Sequence, residues 1–66
     1  MNDLPIATVE RIIRMAGAER VSRSAAEELA DVLEEEAMKI AKEAITYTEH
    51  AGRVTVTNED IRLAEK

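Results

Sequence analysis

From Ser22 to Ala51 the chain runs thirty residues without a glycine or a proline. Globular helices average roughly 10–14 residues, so a helix over this stretch would be unusually long. At 100° per residue, Leu29, Leu33, Ala37, Ile40, Ala44, Tyr47 and Ala51 fall within an arc of about 80°. Glu28, Asp31, Glu35 and Glu49 lie opposite, while Ala30, Met38, Ala41 and Ile45 widen the apolar surface beyond one stripe. Such a helix measures about 45 Å at 1.5 Å per residue, against a radius of gyration of about 13 Å for a compact domain of ~100 residues. The short segments on either side cannot cover it. Leu29, Leu33, Ala37, Ile40 and Ala44 are therefore expected to form the core of a dimer, covered by a second copy or a similar chain.

Size points the same way. At 66 residues the chain is expected to be one domain, 1–66, below the length at which a single core usually suffices. It has no cysteine, hence no disulfide and no thiolate metal cage, and oligomerisation is the expected staple. Met1-Asn2-Asp3-Leu4-Pro5 lacks the charged region and apolar run of a signal peptide. No stretch approaches the ~18 apolar residues of a membrane span, so a soluble, intracellular protein with no membrane role is expected.

The formal net charge of −5 argues against gross attraction to nucleic acid, but its distribution is uneven. In residues 1–23, Arg11, Arg14, Arg20 and Arg23 outnumber Asp3, Glu10 and Glu19, a balance of +1, whereas residues 24–66 carry −6. Glu27, Glu28, Asp31, Glu34, Glu35 and Glu36 form an acidic block with no intervening base. It reads as a solvated helix face, supported by a Glu35–Lys39 pair at i,i+4.

Along the chain, Pro5 suits the first turn of a helix. Ile6, Val9, Ile13 and Ala16 then recur at spacings of three and four, with Ile12 beside them. Arg11 and Arg14 sit opposite that arc and three residues apart, as neighbours on an exposed face. Gly17 supplies the stop. Ser22, or Ser24 with Glu27 three residues on, is the expected cap of the long helix. After His50-Ala51-Gly52, the β-branched residues of Arg53-Val54-Thr55-Val56 read as a short extended piece. Thr57-Asn58-Glu59-Asp60 reads as a helix cap with an acid at the third helical position, followed by Ile61, Leu63 and Ala64.

The marks of catalysis are absent from this pattern. His50 is the single histidine, with no second His or Cys at metal-ligand spacing. No glycine-rich phosphate loop or nucleophile arrangement occurs, and a chain so short of core has little means to build a pocket around paired acids. No enzyme activity, cofactor or metal is expected.

Short helix, connector, long helix, β-like connector, short helix: this order, all-α, is that of the histone fold. Leu4-Pro5-Ile6-Ala7, Arg11-Ile12-Ile13-Arg14 and Ala16-Gly17-Ala18-Glu19-Arg20-Val21-Ser22 resemble archaeal histones closely. His50-Ala51-Gly52-Arg53-Val54-Thr55-Val56, with Glu59-Asp60-Ile61 and Leu63-Ala64, resembles their second loop and third helix. The resemblance runs over nearly the whole chain. It implies a head-to-tail homodimer in which two long helices cross and the first loop of one protomer lies beside the second loop of the other. The residues near Arg20-Val21 and Val54-Val56 would pair across that junction.

The resemblance also implies roles. Arg11 and Arg14 look like first-helix phosphate contacts, Arg20 like the first-loop arginine, and Thr55 like the second-loop threonine that steadies it near the minor groove. Arg53 resembles the arginine that pairs with an acid at the start of the last helix, here Asp60, holding the second loop in shape. Tyr47, His50, Asp60 and Leu63 match the family's contact between dimers. The implied mode is backbone contact with arginine in a narrowed minor groove of double-stranded DNA, with little base readout. Val54, however, stands where these proteins commonly carry a lysine, and the chain stops at Lys66, about one turn short of a typical basic end.

Two functions follow as expectations. The first is a nucleoid-associated, cytoplasmic DNA-compacting protein, a homodimer able to stack into tetramers or longer assemblies, or to pair with a histone paralogue. The second is an acidic histone-fold interaction module or capping subunit with weak or no DNA binding.

Overall fold

The computed structural model describes residues 4–65, in which three α-helices follow one another: α1 (Ile6–Met15), α2 (Arg23–His50) and α3 (Asn58–Ala64). Asp3 and Lys66, counted in the charge balance, lie outside the described residues, as does the start at Met1-Asn2. The chain divides within α2 into two compact units, Met1–Glu35 and Glu36–Lys66.

In the first unit, Pro5 sits at the cap rather than inside α1, in an extended conformation with φ −65° and ψ 119°. Its carbonyl accepts from the N–H groups of Thr8 and Val9 at 3.1 and 3.2 Å, so a residue with no N–H of its own still starts the helix. At the other end, Gly17 N–H donates to Arg14 O at 2.9 Å, and Gly17 takes φ +122°, where a side chain is disfavoured. Ser22 caps α2: its Oγ accepts from Ala25 N–H at 3.0 Å. Ser24, the alternative cap, lies within α2, its Oγ 3.2 Å from that of Ser22. The core here is Val9 of α1 against Ala26 and Ala30 of α2, with Ile6, Ile13, Val21 and Leu29 packed around it. Two alanines one turn apart allow close approach, which is why a ten-residue helix can seat a single valine so deeply.

In the second unit α2 ends on Gly52 at φ +73°, with Gly52 N–H donating to Glu49 O and Arg53 N–H to Thr48 O, at 2.9 and 3.1 Å. Residues 53–56 form no strand within the chain. Their β-branched side chains lack a neighbouring strand to pair with, and they remain a loop that leads to Thr57, the cap of α3. Among the described residues of this unit the buried ones are Ala44, Thr48, Asp60 and Ala64, two of them polar.

Among the described residues the fully buried apolar side chains are one valine and four alanines. Larger ones stay open: Ile12, Val32, Leu33, Met38, Ile45, Ile61 and Leu63 are all exposed by a third or more. Of the arc expected to form a dimer core, Ala44 is fully covered within its own chain and Leu29 already packs in the first unit. Leu33, Ala37 and Ile40 keep surface to be covered. On the solvated face, Lys39 Nζ lies 3.7 Å from Glu36 Oε1, one turn back at i,i+3, in place of the expected Glu35 partner. Both spacings bring side chains together on a helix, so periodicity alone does not choose between them.

Candidate nucleic-acid interface

Arg11 and Arg14 project from α1, both exposed, and neither has an acidic partner within salt-bridge distance among the described residues. Arg14 lies in the last turn, where a cation also meets the negative end of the helix dipole. Arg20, in the connector, is exposed and likewise unpaired among the described residues. Arg23 and Lys39 are locally neutralised: Arg23 Nε donates to Glu27 Oε2 at 3.1 Å, and Lys39 faces Glu36. An open groove of about 650 Å³ in the second unit contains Lys39 and Lys42, but Glu36, Glu43 and Glu65 line it too. That mixture offers a phosphate no net attraction.

The second loop is built around Asp60. Arg53 Nη2 donates to Asp60 Oδ1 at 2.9 Å and Nη1 to Oδ2 at 3.0 Å, a bidentate fork. Nη1 also donates to the carbonyl oxygen of Thr55 at 3.0 Å. Asp60 Oδ2 further accepts from Thr57 N–H at 3.0 Å, the capping contact at the start of α3, and from Thr57 Oγ1 at 3.2 Å. Thr48 Oγ1 donates to the same oxygen at 2.7 Å. The Arg53 guanidinium first, then the Thr48 hydroxyl and the Thr57 N–H, hold the Asp60 carboxyl well below the usual carboxylate range, against the opposing effect of burial. In return, hydrogen bonding to Asp60 raises Arg53 above its ordinary value.

The structure thus brings Arg53 and Thr55 of the loop together with Asp60 of α3, Arg53 spending three N–H contacts on them. Thr55 itself is exposed. Of the residues matched to a contact between dimers, His50 and Leu63 are exposed and Tyr47 is half-buried. Asp60 differs: it is 2 % exposed, and both carboxylate oxygens are engaged within the chain. Sequence reasoning missed Thr48. Its signal was available, because Ala41, Ala44 and Thr48 follow one another at spacings of three and four, placing a hydroxyl on an apolar stripe.

Among the described residues no group of His, Cys, Asp and Glu could hold a metal ion, and no helix is long and apolar enough to cross a membrane.

Comparison with known proteins adds sequence kinship. The family described as "Histone-like transcription factor (CBF/NF-Y) and archaeal histone" matches residues 2–64. An archaeal histone HAN1 subunit of Thermococcus zilligii is 56 % identical over 66 residues, all of this chain and 98 % of that protein. Probable archaeal histone 3 of Methanocaldococcus jannaschii is 44 % identical over 64 residues, 97 % and 96 % of the two chains. Histone H4 of Dictyostelium discoideum is 35 % identical over 66 residues, all of this chain but 61 % of that longer one.

Proposed function

Since the chain belongs to the family of histone-like transcription factors and archaeal histones, a family of structural proteins rather than enzymes, we propose that it acts as a dimeric architectural protein that binds and compacts duplex DNA with little sequence preference. One observation carries this reading: Arg11, Arg14 and Arg20 are exposed and unpaired among the described residues, in a chain whose other charges leave it at −5. Unpaired arginines meet phosphates without first surrendering a carboxylate partner. Arg53 and Thr55 add the second loop, Arg53 chiefly by holding its shape. The dimer is supported by the apolar surface left at Leu33, Ala37 and Ile40, and by a buried core that amounts to one valine and four alanines among the described residues.

Contact between dimers would rest on Tyr47, His50 and Leu63, with Asp60 contributing through the fold of α3 rather than as an open acceptor. A similar chain in place of a second copy is a variant of the same reading, suggested by a relative whose name makes it one subunit of a histone. In a cell, either form would associate with the chromosome.

A second reading is favoured by two observations. Val54 is 99 % exposed at the loop position where the resemblance leads one to expect lysine, and the acidic block of α2 is largely open. Under it, the protein is an acidic interaction or capping subunit.

A mobility shift on random-sequence duplex at two salt concentrations separates the two. The DNA-binding reading expects shifts that weaken steeply with salt, because each neutralised phosphate releases condensed counterions. Arg14→Ala should lower affinity evenly across sequences and flatten the salt slope by about one unit for each phosphate no longer neutralised. Arg20→Ala should additionally weaken any preference for narrow A·T minor grooves. No shift of the parent at about 50 mM salt would leave the acidic module as the function.

A further inference from the structure

We propose that Thr48 is a positioning residue for DNA binding: its buried hydroxyl, acting through Asp60 and Arg53, holds residues 53–57 in the shape that meets the phosphate backbone. The inference rests on the DNA-binding reading above.

A threonine inside a helix ordinarily satisfies its hydroxyl on the carbonyl four residues back. Thr46 does so, donating to Lys42 O at 3.3 Å. Thr48 has the same option, with Ala44 O at 3.0 Å, yet its Oγ1 lies closer to Asp60 Oδ2, at 2.7 Å. A hydroxyl has one proton, and the shorter contact to an ionised oxygen takes the larger share of it. The residue is 2 % exposed, so neither water nor rotation outward offers an alternative partner. Filling this space would not require a hydroxyl, since valine has the same shape. What valine cannot do is reach from the last turns of α2 to a carboxylate twelve residues on.

From Asp60 the linkage continues outward. Oδ2 accepts from Arg53 Nη1, and Nη1 also donates to Thr55 O in the middle of the loop. Packing offers this loop little support: Val54 is 99 % and Val56 42 % exposed, and Thr55 is open. Its path is therefore set by hydrogen bonds converging on one carboxylate, and Thr48 is the donor that ties that carboxylate to the rigid helix. Without it, the Asp60 carboxylate keeps its partners in the loop, Arg53 and Thr57, but loses its hydrogen bond to α2, and the carboxylate, Arg53 and Thr55 can shift together against that helix. A backbone contact misplaced by about an ångström loses much of its directional hydrogen bonding.

The test uses the full chain in two assays: NMR hydrogen exchange of the free protein and mobility shift on random-sequence duplex. Thr48→Val should keep the parent's helix content and mass. It should speed exchange of the Thr57 amide about tenfold, through loss of the support of one charge-assisted hydrogen bond. Duplex affinity should fall about three- to tenfold, with the salt slope near the parent's because no cation is removed. Thr48→Ser, which restores the hydroxyl, should return exchange and affinity to parent values. Parent-like affinity in Thr48→Val, or failure of Thr48→Ser to restore it, overturns the proposal. Should Thr48→Val not fold, Thr48→Cys keeps a weak donor and should give intermediate exchange and affinity; parent values there overturn the proposal equally. If the parent itself binds no duplex, the DNA-binding reading falls and with it the purpose assigned to Thr48. If the parent binds but Thr48→Val leaves Thr57 exchange unchanged, the role of Thr48 alone is removed.

Discussion

Arg53 holds Asp60 with both terminal nitrogens of its guanidinium, Nη2 at 2.9 Å from Oδ1 and Nη1 at 3.0 Å from Oδ2. The pair spans the second loop, and the same Nη1 reaches Thr55 O, so one planar group fixes the start, middle and end of a turn. Arginine does this because its five N–H donors lie in a rigid fork.

Arg53→Lys should therefore weaken the fold although it keeps the charge. An ammonium is a point donor on a flexible stem and cannot bond both carboxylate oxygens and Thr55 O at once. The melting temperature followed by circular dichroism should fall by roughly 5–10 °C. Coincident melting curves for parent and variant would contradict the structural role given to the fork.

Acid should act through Asp60. Its carboxyl titrates well below the usual range in the folded chain, but near about 3.9 once unfolded. The folded state thus favours the ionised form, and the resulting stability is complete above the unfolded value and lost as pH falls through the folded one. Protonation of the many other acids relieves repulsion and works the opposite way. The clean comparison is the slope of melting temperature between about pH 5 and pH 2, which should be steeper for the parent than for Asp60→Asn. Parallel slopes would remove Asp60 from the acid response.

Ile40→Asp should abolish folding. In one chain Ile40 is half-buried; in a dimer it would be covered, and an aspartate there would be an unpaired buried charge costing about 3–5 kcal/mol. Sedimentation of the parent should give twice the 7.3 kDa mass of the chain, and the variant should lose its helical signal. A stable, helical monomer of the parent would rule out the obligate dimer.

Leu63→Asp should separate dimer from larger assembly. Leu63 is 54 % exposed on α3, so the substitution should change folding stability by no more than about 0.5 kcal/mol. Light scattering should find the dimer intact and longer stacks on DNA lost. If the parent too remains a dimer on DNA, the contact between dimers is not used, and the protein is a bound dimer or a cap.

Much of the local structure is legible in the sequence. Ser22 marks the start of α2, and the run without glycine or proline up to Ala51 marks its end, each to within a residue. Ser22 and Thr57 announce the starts of α2 and α3 because their side chains can satisfy N–H groups that a helix start leaves unpaired. Residues 53–56 form no strand, since β-branched residues make one only when another strand accepts their hydrogen bonds. Thr48 does not stand out in the sequence, because periodicity treats a helix-interior threonine as one more small residue and its partner lies on another element.

The sequence by itself determined the helices, their caps, the exposed arginines of α1 and the excess of apolar surface on α2, because each depends on spacings of a few residues. Only the tertiary structure decided how that surface is divided. It buries Ala44 within one chain while leaving Leu33 and Ala37 open, and it turns Asp60 inward to Arg53, Thr48 and Thr57. Arg53 and Thr48 stand seven and twelve positions from Asp60 in sequence. Over such separations a carboxylate has several donors to choose from, and geometry, not spacing, selects among them.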